Sequence, residues 1–193
     1  MASVPLPTSR KELSHARIVD VASKAIRRAG YRGVGVADIM KEAGLTHGGF
    51  YAHFESRDAL VVEAMESAGQ ENIASLSKAM ERRLTKGVTR FQALVEAYLH
   101  DAHMARTEDG CIIAALASEM TRQDDVVRQE ARRRVDAMVA LVQSALPAGA
   151  DENEAAVVTA TMVGALQLAR TLGGKAGQAL LAQTRQVLIA RSS

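Results

Sequence analysis

The chain has 193 residues, enough for one large or two small domains with a proper buried core. Only three prolines, with abundant Ala, Leu, Arg and Glu, favour an all-helical protein. A formal net charge of +2 is too small to imply a general polyanion binder, so the distribution of charge says more than its sum. Residues 1–60 carry nine Lys/Arg against six Asp/Glu, and the first 32 alone hold seven basic and two acidic side chains. Residues 61–193 carry fifteen against sixteen, which concentrates the positive field at the N-terminal end. No apolar run approaches a bilayer-spanning length, and MASVPLPTSRKEL lacks the apolar centre of a signal peptide. The lone Cys111 cannot form an intramolecular disulfide, which fits a reducing compartment. These features predict a soluble, cytoplasmic protein with no membrane partner.

In chain order, residues 1–9 with Pro5 and Pro7 read as a flexible arm. A helix over 10–29 follows, with Ile18, Val21, Ala22, Ala25, Ile26 and Ala29 as its buried stripe and Gly30 as its stop. Lys11, Arg17, Lys24, Arg27, Arg28 and Arg32 surround its outer face. Over 36–43, Val36, Ile39, Met40 and Ala43 give a second amphipathic pattern, closed by Gly44. Thr46 sits where an N-cap belongs, ahead of a short helix over 47–53 that turns Phe50 and Phe54 inward. His47, Gly48, Tyr51 and His53 are left on or beside its outer surface. Two short helices joined by a Gly-containing turn, here across 35–54, have the shape of a helix-turn-helix. In such a motif the start of the second helix meets base edges in the major groove.

Ser56 is placed to cap a long helix over 57–85, broken at Lys86-Gly87. Further helices are predicted over 88–105, 111–121, 124–146, 151–172 and 175–191, with breaks at 106–110, at Pro147-Ala148-Gly149 and at Gly173-Gly174. The fold class is therefore all-α, about nine helices with no strand signal. The division reads as arm 1–9, helix-turn-helix domain 10–56, connecting helix 57–86 and a C-terminal helical domain over 87–193. The last two helices are apolar around more than one face. Ala156, Ala160 and Gly164 form a small-residue row, and Leu168, Leu180, Leu181, Val187 and Leu188 add bulk. Such helices need partners on both sides, either as a deep core or as a self-complementary interface between two copies.

The run AGLTHGGFYAHFESRDAL, preceded by ARIVDVASKAIRRAGYRGVGVADI, resembles the DNA-binding signature of the TetR/AcrR family of bacterial transcriptional regulators. The resemblance covers roughly residues 10–65 and rests on Gly44, Thr46, Gly48, Phe50, Tyr51, His53, Phe54 and Asp58. Three positions depart from the pattern: Gly35 replaces a Ser or Thr cap, Arg57 replaces Lys, and Gly49 adds a second glycine to a short helix. The resemblance implies a homodimer in which each subunit gives two helices to a four-helix bundle, reading an operator of inverted half-sites. It further implies a small-molecule-gated repressor rather than an enzyme, and it calls for no cofactor. By family position and chemistry together, Thr46 and Tyr51 donate to phosphates and Arg57 supplies charge beside them. His47 meets a base edge, Gly48 permits close approach, and His53 contacts backbone or packs. Lys11 and Arg17 are expected to reach phosphates or an adjoining minor groove. The effector pocket implied in the body has Phe91, Tyr98, Met104, Ile113, Met120, Met138, Leu141 and Met162 as candidate lining, each equally an ordinary core residue. With no Trp and six aromatics, that lining suits a mainly apolar effector held by aliphatic contact.

Particular residues raise other chemistries. Cys111 follows Gly110 at a helix start, where a lowered pKa would make a redox sensor and ordinary burial would make an inert side chain. His100 and His103, spaced i, i+3, lack a firmly placed third ligand for a metal site beyond Cys111 or Asp101. A thiol enzyme pairing Cys111 with either histidine would lack an oxyanion loop and leave the helix-turn-helix unexplained. An architectural DNA-binding dimer without effector is the remaining alternative.

Overall fold

The computed structural model describes residues 9–151 and 153–191. The expected arm falls outside these residues except at Ser9, which instead caps the first helix. In that capping box Ser9 accepts from the Glu12 N–H at 3.2 Å, and the Glu12 carboxylate accepts from the Ser9 N–H at 2.9 Å. Among the described residues there are nine α-helices, one 3-10 helix and no strand. They are α1 (Arg10–Ala29), α2 (Val36–Glu42), a 3-10 helix (His47–Ala52), α3 (Arg57–Leu84), α4 (Arg90–Tyr98), α5 (Asp101–Ala105), α6 (Ile112–Met120), α7 (Asp125–Ala145), α8 (Glu154–Leu172) and α9 (Gly174–Arg191).

Apolar side chains collect into two cores. The head core joins Ile18, Ala22 and Ile26 of α1, Ile39 and Met40 of α2, Phe50, Phe54, and Leu60 to Ala68 on the inner face of α3. The body core joins Leu76 and Met80 of the same α3 to Phe91, Leu94, Tyr98, Met138, Val142, Met162, Leu166, Leu181 and Leu188. A helix of 28 residues extends about 42 Å, long enough to serve both. Ile112, Leu116 and Met120 of α6 also belong to the head core, although Ala114 of that helix packs in the body. Helix α7 is shared too, with Val127 in the head core and Met138 and Val142 in the body, so head and body are joined through α3, α6 and α7.

Three sequence expectations need correction. The single helix expected over 88–105 is broken at Leu99 and His100, where the His100 imidazole caps α5 by accepting from the Ala102 N–H at 3.1 Å. Asp124 and Thr46 stand at N-cap positions, but neither side chain makes a capping hydrogen bond. By length and composition α8, at a mean hydropathy of 1.4, is long and apolar enough to cross a membrane, contrary to the reading of the bare sequence. Its inner face, Ala155, Val158, Met162, Leu166 and Ala169, is buried in the body core. The crossing of α8 and α9 is close because Gly177 lacks a Cβ, which would lie 2.3 Å from the Ala169 carbonyl oxygen.

Candidate nucleic-acid interface

The second element of the helix-turn-helix is six residues of 3-10 helix rather than the α-helix expected. Two consecutive glycines, Gly48 and Gly49, weaken α-helix propensity, and so short a segment gains little from the wider winding. Gly44, at φ +71°, turns the chain between the two elements, as expected from its position. Phe50 is 1% exposed and anchors the segment, stacking on Phe54 with ring centroids 5.6 Å apart. Phe54 stacks in turn on His15 of α1 at 4.5 Å. This aromatic row fixes the rotation of the segment, and so decides which side chains face outward.

Thr46, His47, Gly48 and Tyr51 all lie on the exposed face. Tyr51 is 73% exposed and meets Phe50 edge-on at 5.2 Å, so its hydroxyl projects away from the protein on a supported ring. The uncapped Thr46 hydroxyl remains a surface group. Gly48 has nothing within 4 Å of where a Cβ would stand. Gly48→Ala is therefore expected to leave the thermal midpoint unchanged or slightly raised, while operator affinity falls about tenfold or more by obstructing close approach. Paired calorimetry and fluorescence-anisotropy titrations check both halves of that expectation.

The remaining expected contacts sort differently. Lys11 is exposed at the start of α1. Arg17 is exposed too, but its guanidinium donates to the Ala43 carbonyl at 3.4 Å, securing the C-terminal end of α2. His53 is partly buried, with His15 and Phe54 as ring neighbours. Burial first, then nearby His15 and Lys11, holds its imidazole below the ordinary histidine range, so His53 packs as a neutral ring. Arg57, expected to supply charge beside the phosphates, also forms an internal clip. Its guanidinium lies 4.4 Å from the Tyr31 ring centroid and donates to the carbonyls of Tyr31 and Val34. Tyr31 donates its hydroxyl to Asp58 at 2.6 Å, so both ends of this clip tie the α1–α2 connection to the start of α3.

The head–body seam carries polar contacts that the sequence did not disclose. Arg27, read as an outer-face cation, is buried, with its guanidinium donating to the Ser23 carbonyl at 2.9 Å and to the Gly110 carbonyl at 3.2 Å. It also pairs with Glu71 at 3.4 Å. The Tyr31 N–H donates to Glu119 of α6 at 3.2 Å. Arg28 reaches Glu108 at 3.4 Å as well as Glu42 at 3.2 Å. These contacts tie α6 and the loop before it to α1 and the loop that follows α1.

In the body, Phe91, Tyr98, Met138 and Met162 are at most 2% exposed, and Met104 and Leu141 pack against the same core. These six are core residues in this structure, and of them Met138 also borders a cavity, a small one beside Gly69 and Cys111. Ile113 and Met120 do border an apolar cleft, of about 140 Å³, between α3, α6 and α7. Of the expected interface residues, Ala156, Ala160, Leu168 and Val187 are exposed, and Gly164 and Leu180 are partly so. Leu181 and Leu188 are buried inside their own protomer, which corrects their assignment. Val157 and Leu172, at 58% exposure each, extend the open face instead.

Cys111 is 1% exposed, and its N–H donates to His103 Nε2 at 3.1 Å. His103 Nδ1 donates to the Tyr98 carbonyl at 2.7 Å, so neither ring nitrogen is free to serve as base or ligand. Among the described residues no three His, Cys, Asp or Glu side chains gather as metal ligands. Burial lowers the His103 pKa from 6.5 to about 4. Between these values the unfolded chain takes up the proton first, so His103 contributes stability that is full above about 6.5 and declines as pH falls. Urea unfolding at pH 7 and pH 4 is expected to show a loss of up to about 3 kcal/mol that His103→Gln removes.

An exposed 3-10 segment on an aromatic anchor, a positively charged first helix and a helical body define the helix-turn-helix regulator class. The chain belongs to the TetR family. Residues 18–64 match bacterial regulatory proteins of the tetR family, and residues 87–188 match the tetracyclin repressor-like C-terminal domain. The HTH-type transcriptional repressor DhaR of Mycobacterium sp. (strain GP1) is 28% identical over 116 residues, 60% of this chain and 57% of that one. The match thus spans little more than half the length of DhaR. YfiR of Bacillus subtilis (strain 168), described as an uncharacterized HTH-type transcriptional regulator, is 22% identical over 147 residues, 75% of this chain and 69% of its own. The fold matches that of a TetR-family transcriptional regulator from Agrobacterium tumefaciens, with a TM-score of 0.72, 24% identity and 94% and 98% of the two chains covered. A TetR transcriptional regulator from Chloroflexus aurantiacus J-10-FL superposes with a TM-score of 0.75 at 24% identity, covering 93% of each chain.

Proposed function

We propose that the protein is a cytoplasmic, homodimeric transcriptional repressor that binds an inverted-repeat operator and is released by a small, mainly apolar effector. The observation that carries this reading is the pairing of two exposed surfaces at opposite ends of one protomer. One is the Thr46–Tyr51 face, built to approach a groove. The other is the apolar face of α8 and α9, where Val157, Leu168, Leu172 and Val187 are all more than half exposed. A second copy set across that face completes a four-helix bundle and presents two heads related by a two-fold axis. In each head His47 reads a base edge, Thr46 and Tyr51 donate to phosphates, and Lys11 and Arg17 add charge at the flank. Residues 87–193 carry dimerisation and effector binding, and no catalytic step is assigned. The match to the DhaR repressor favours repression over activation.

The reading is tested by footprinting on DNA from the gene's own upstream region and from neighbouring intergenic segments. Expected is protection of two half-sites of inverted sequence, spaced by about one helical turn or a multiple of it. Uniform binding with no preference over random duplex contradicts a specific operator and leaves only an architectural role.

A further inference from the structure

The apolar cleft between α3, α6 and α7 has the form of a ligand site, and its chemistry specifies a class of ligand. Met65, Ile113, Leu116 and Met120 wall it, with Ala117 and Val135 at its edges. Two arginines border it, and they differ in kind. Arg134 is held by the Glu130 carboxylate at 2.7 Å, and Glu130 is itself 2% exposed, so that charge is neutralised at the back of the cleft. Arg132 is exposed at the rim and makes no ion pair among the described residues. Beyond it lies an open groove of about 600 Å³, lined by Thr121, Asp125, Arg128 and Gln129 and sharing Met120 and Arg132 with the cleft. Arg128 is already paired with Asp125, which leaves Arg132 as the available cation of the two arginines in the groove.

We infer that this cleft binds a small amphipathic anion, its apolar part between α6 and α7 and its carboxylate on Arg132. The size follows from volume: about 140 Å³ is comparable to the roughly 150 Å³ apolar cavity that accepts a benzene ring. One ring, or a chain of roughly six to eight carbons, fills such a space. The inference rests on the effector-gated reading and names the ligand class for it. It also supplies a route for the signal. Leu116 and Met120 pack into the head core, Glu119 holds the Tyr31 N–H, and Gly110, just before α6, accepts from Arg27. A ligand that wedges α6 away from α7 therefore acts on the elements that orient the heads, and its differential affinity for the two arrangements sets the size of the effect.

The test titrates full-length protein with benzoate, octanoate and the neutral benzyl alcohol by calorimetry, alongside Arg132→Met and Ala117→Phe. Ala117 is exposed, so the added ring fills the cleft without entering the core. Expected is saturable binding of one carboxylate per chain, with the stronger of the two separating an aromatic from an aliphatic ligand. Benzyl alcohol and Arg132→Met are expected to bind about tenfold more weakly, and Ala117→Phe to abolish binding. Thermal midpoints within about 1 °C of wild type establish that both variants fold. No binding of either carboxylate to about 10 mM, or binding unchanged in Ala117→Phe, overturns the site. Operator binding by ligand-free protein is read in the same experiment and separates the two claims. A protein that binds operator but neither carboxylate retires the cleft alone, and one that binds carboxylate but no operator retires the regulator.

Discussion

Leu168→Glu combined with Val187→Glu is expected to convert the protein to a folded monomer and to lower operator affinity by about a thousandfold. Both side chains are more than half exposed in the protomer, at 59% and 52%, so neither substitution opens the protomer's own core. Across a two-fold interface each substituted residue recurs on the partner, so four carboxylates enter one apolar seam. An uncompensated buried charge costs roughly 3–5 kcal/mol, enough for one pair to dissociate a moderate dimer. Operator affinity then falls because the second half-site is no longer met at the high effective concentration that linkage to the first provides. Sedimentation equilibrium and anisotropy titration on the same samples check the pair of effects. A monomer that retains wild-type operator affinity contradicts the two-headed mechanism, and an undisturbed dimer contradicts the placement of the interface.

Phe50→Ala is expected to destabilise the protein by roughly 3–5 kcal/mol, a large part of the roughly 5–15 kcal/mol available to an ordinary domain. The ring is 1% exposed and touches both Phe54 and Tyr51, so its loss empties the centre of the aromatic row and frees the recognition segment to rotate. Tyr51→Ala is the informative contrast. Its side chain is 73% exposed, and the stability change is expected to stay within about 0.5 kcal/mol while DNA binding is lost. Urea unfolding distinguishes the two. A Phe50→Ala protein less than about 1 kcal/mol weaker than wild type contradicts the anchoring role.

These expectations rest on elements of unequal legibility. Gly30, Gly44, Ser56 and Gly173 marked helix ends because caps and stops act within a few residues of chain. The inward turn of Phe50 and Phe54 followed from i, i+4 spacing alone, although the winding of their segment did not, since α and 3-10 helix differ by one position of hydrogen bonding. The break at His100 carries no Gly or Pro. It arises from side chains folding back, His100 onto the Ala102 N–H and His103 between Tyr98 and Cys111. Arg27 and Arg57 looked like surface cations because their partners, Gly110 and the Tyr31–Val34 segment, lie far along the chain. On α9, composition marked an apolar helix but not which side packs into the body core, so Leu181 and Leu188, expected on an open face, are buried instead. The assignment of α6 to the head core is a long-range contact with no local signature.

The central claim is that two heads, each presenting the Thr46–Tyr51 face, recognise one specific operator. It is tested most directly by titrating wild type, Tyr51→Ala and Tyr51→Phe against upstream DNA, across a range of salt and with excess random duplex as competitor. The account predicts tight wild-type binding that survives competitor and weakens steeply with salt. It also predicts that removing the Tyr51 hydroxyl alone costs part of the affinity and removing the ring costs nearly all of it. Equal affinity for upstream and random DNA, or wild-type binding by Tyr51→Ala, would contradict it.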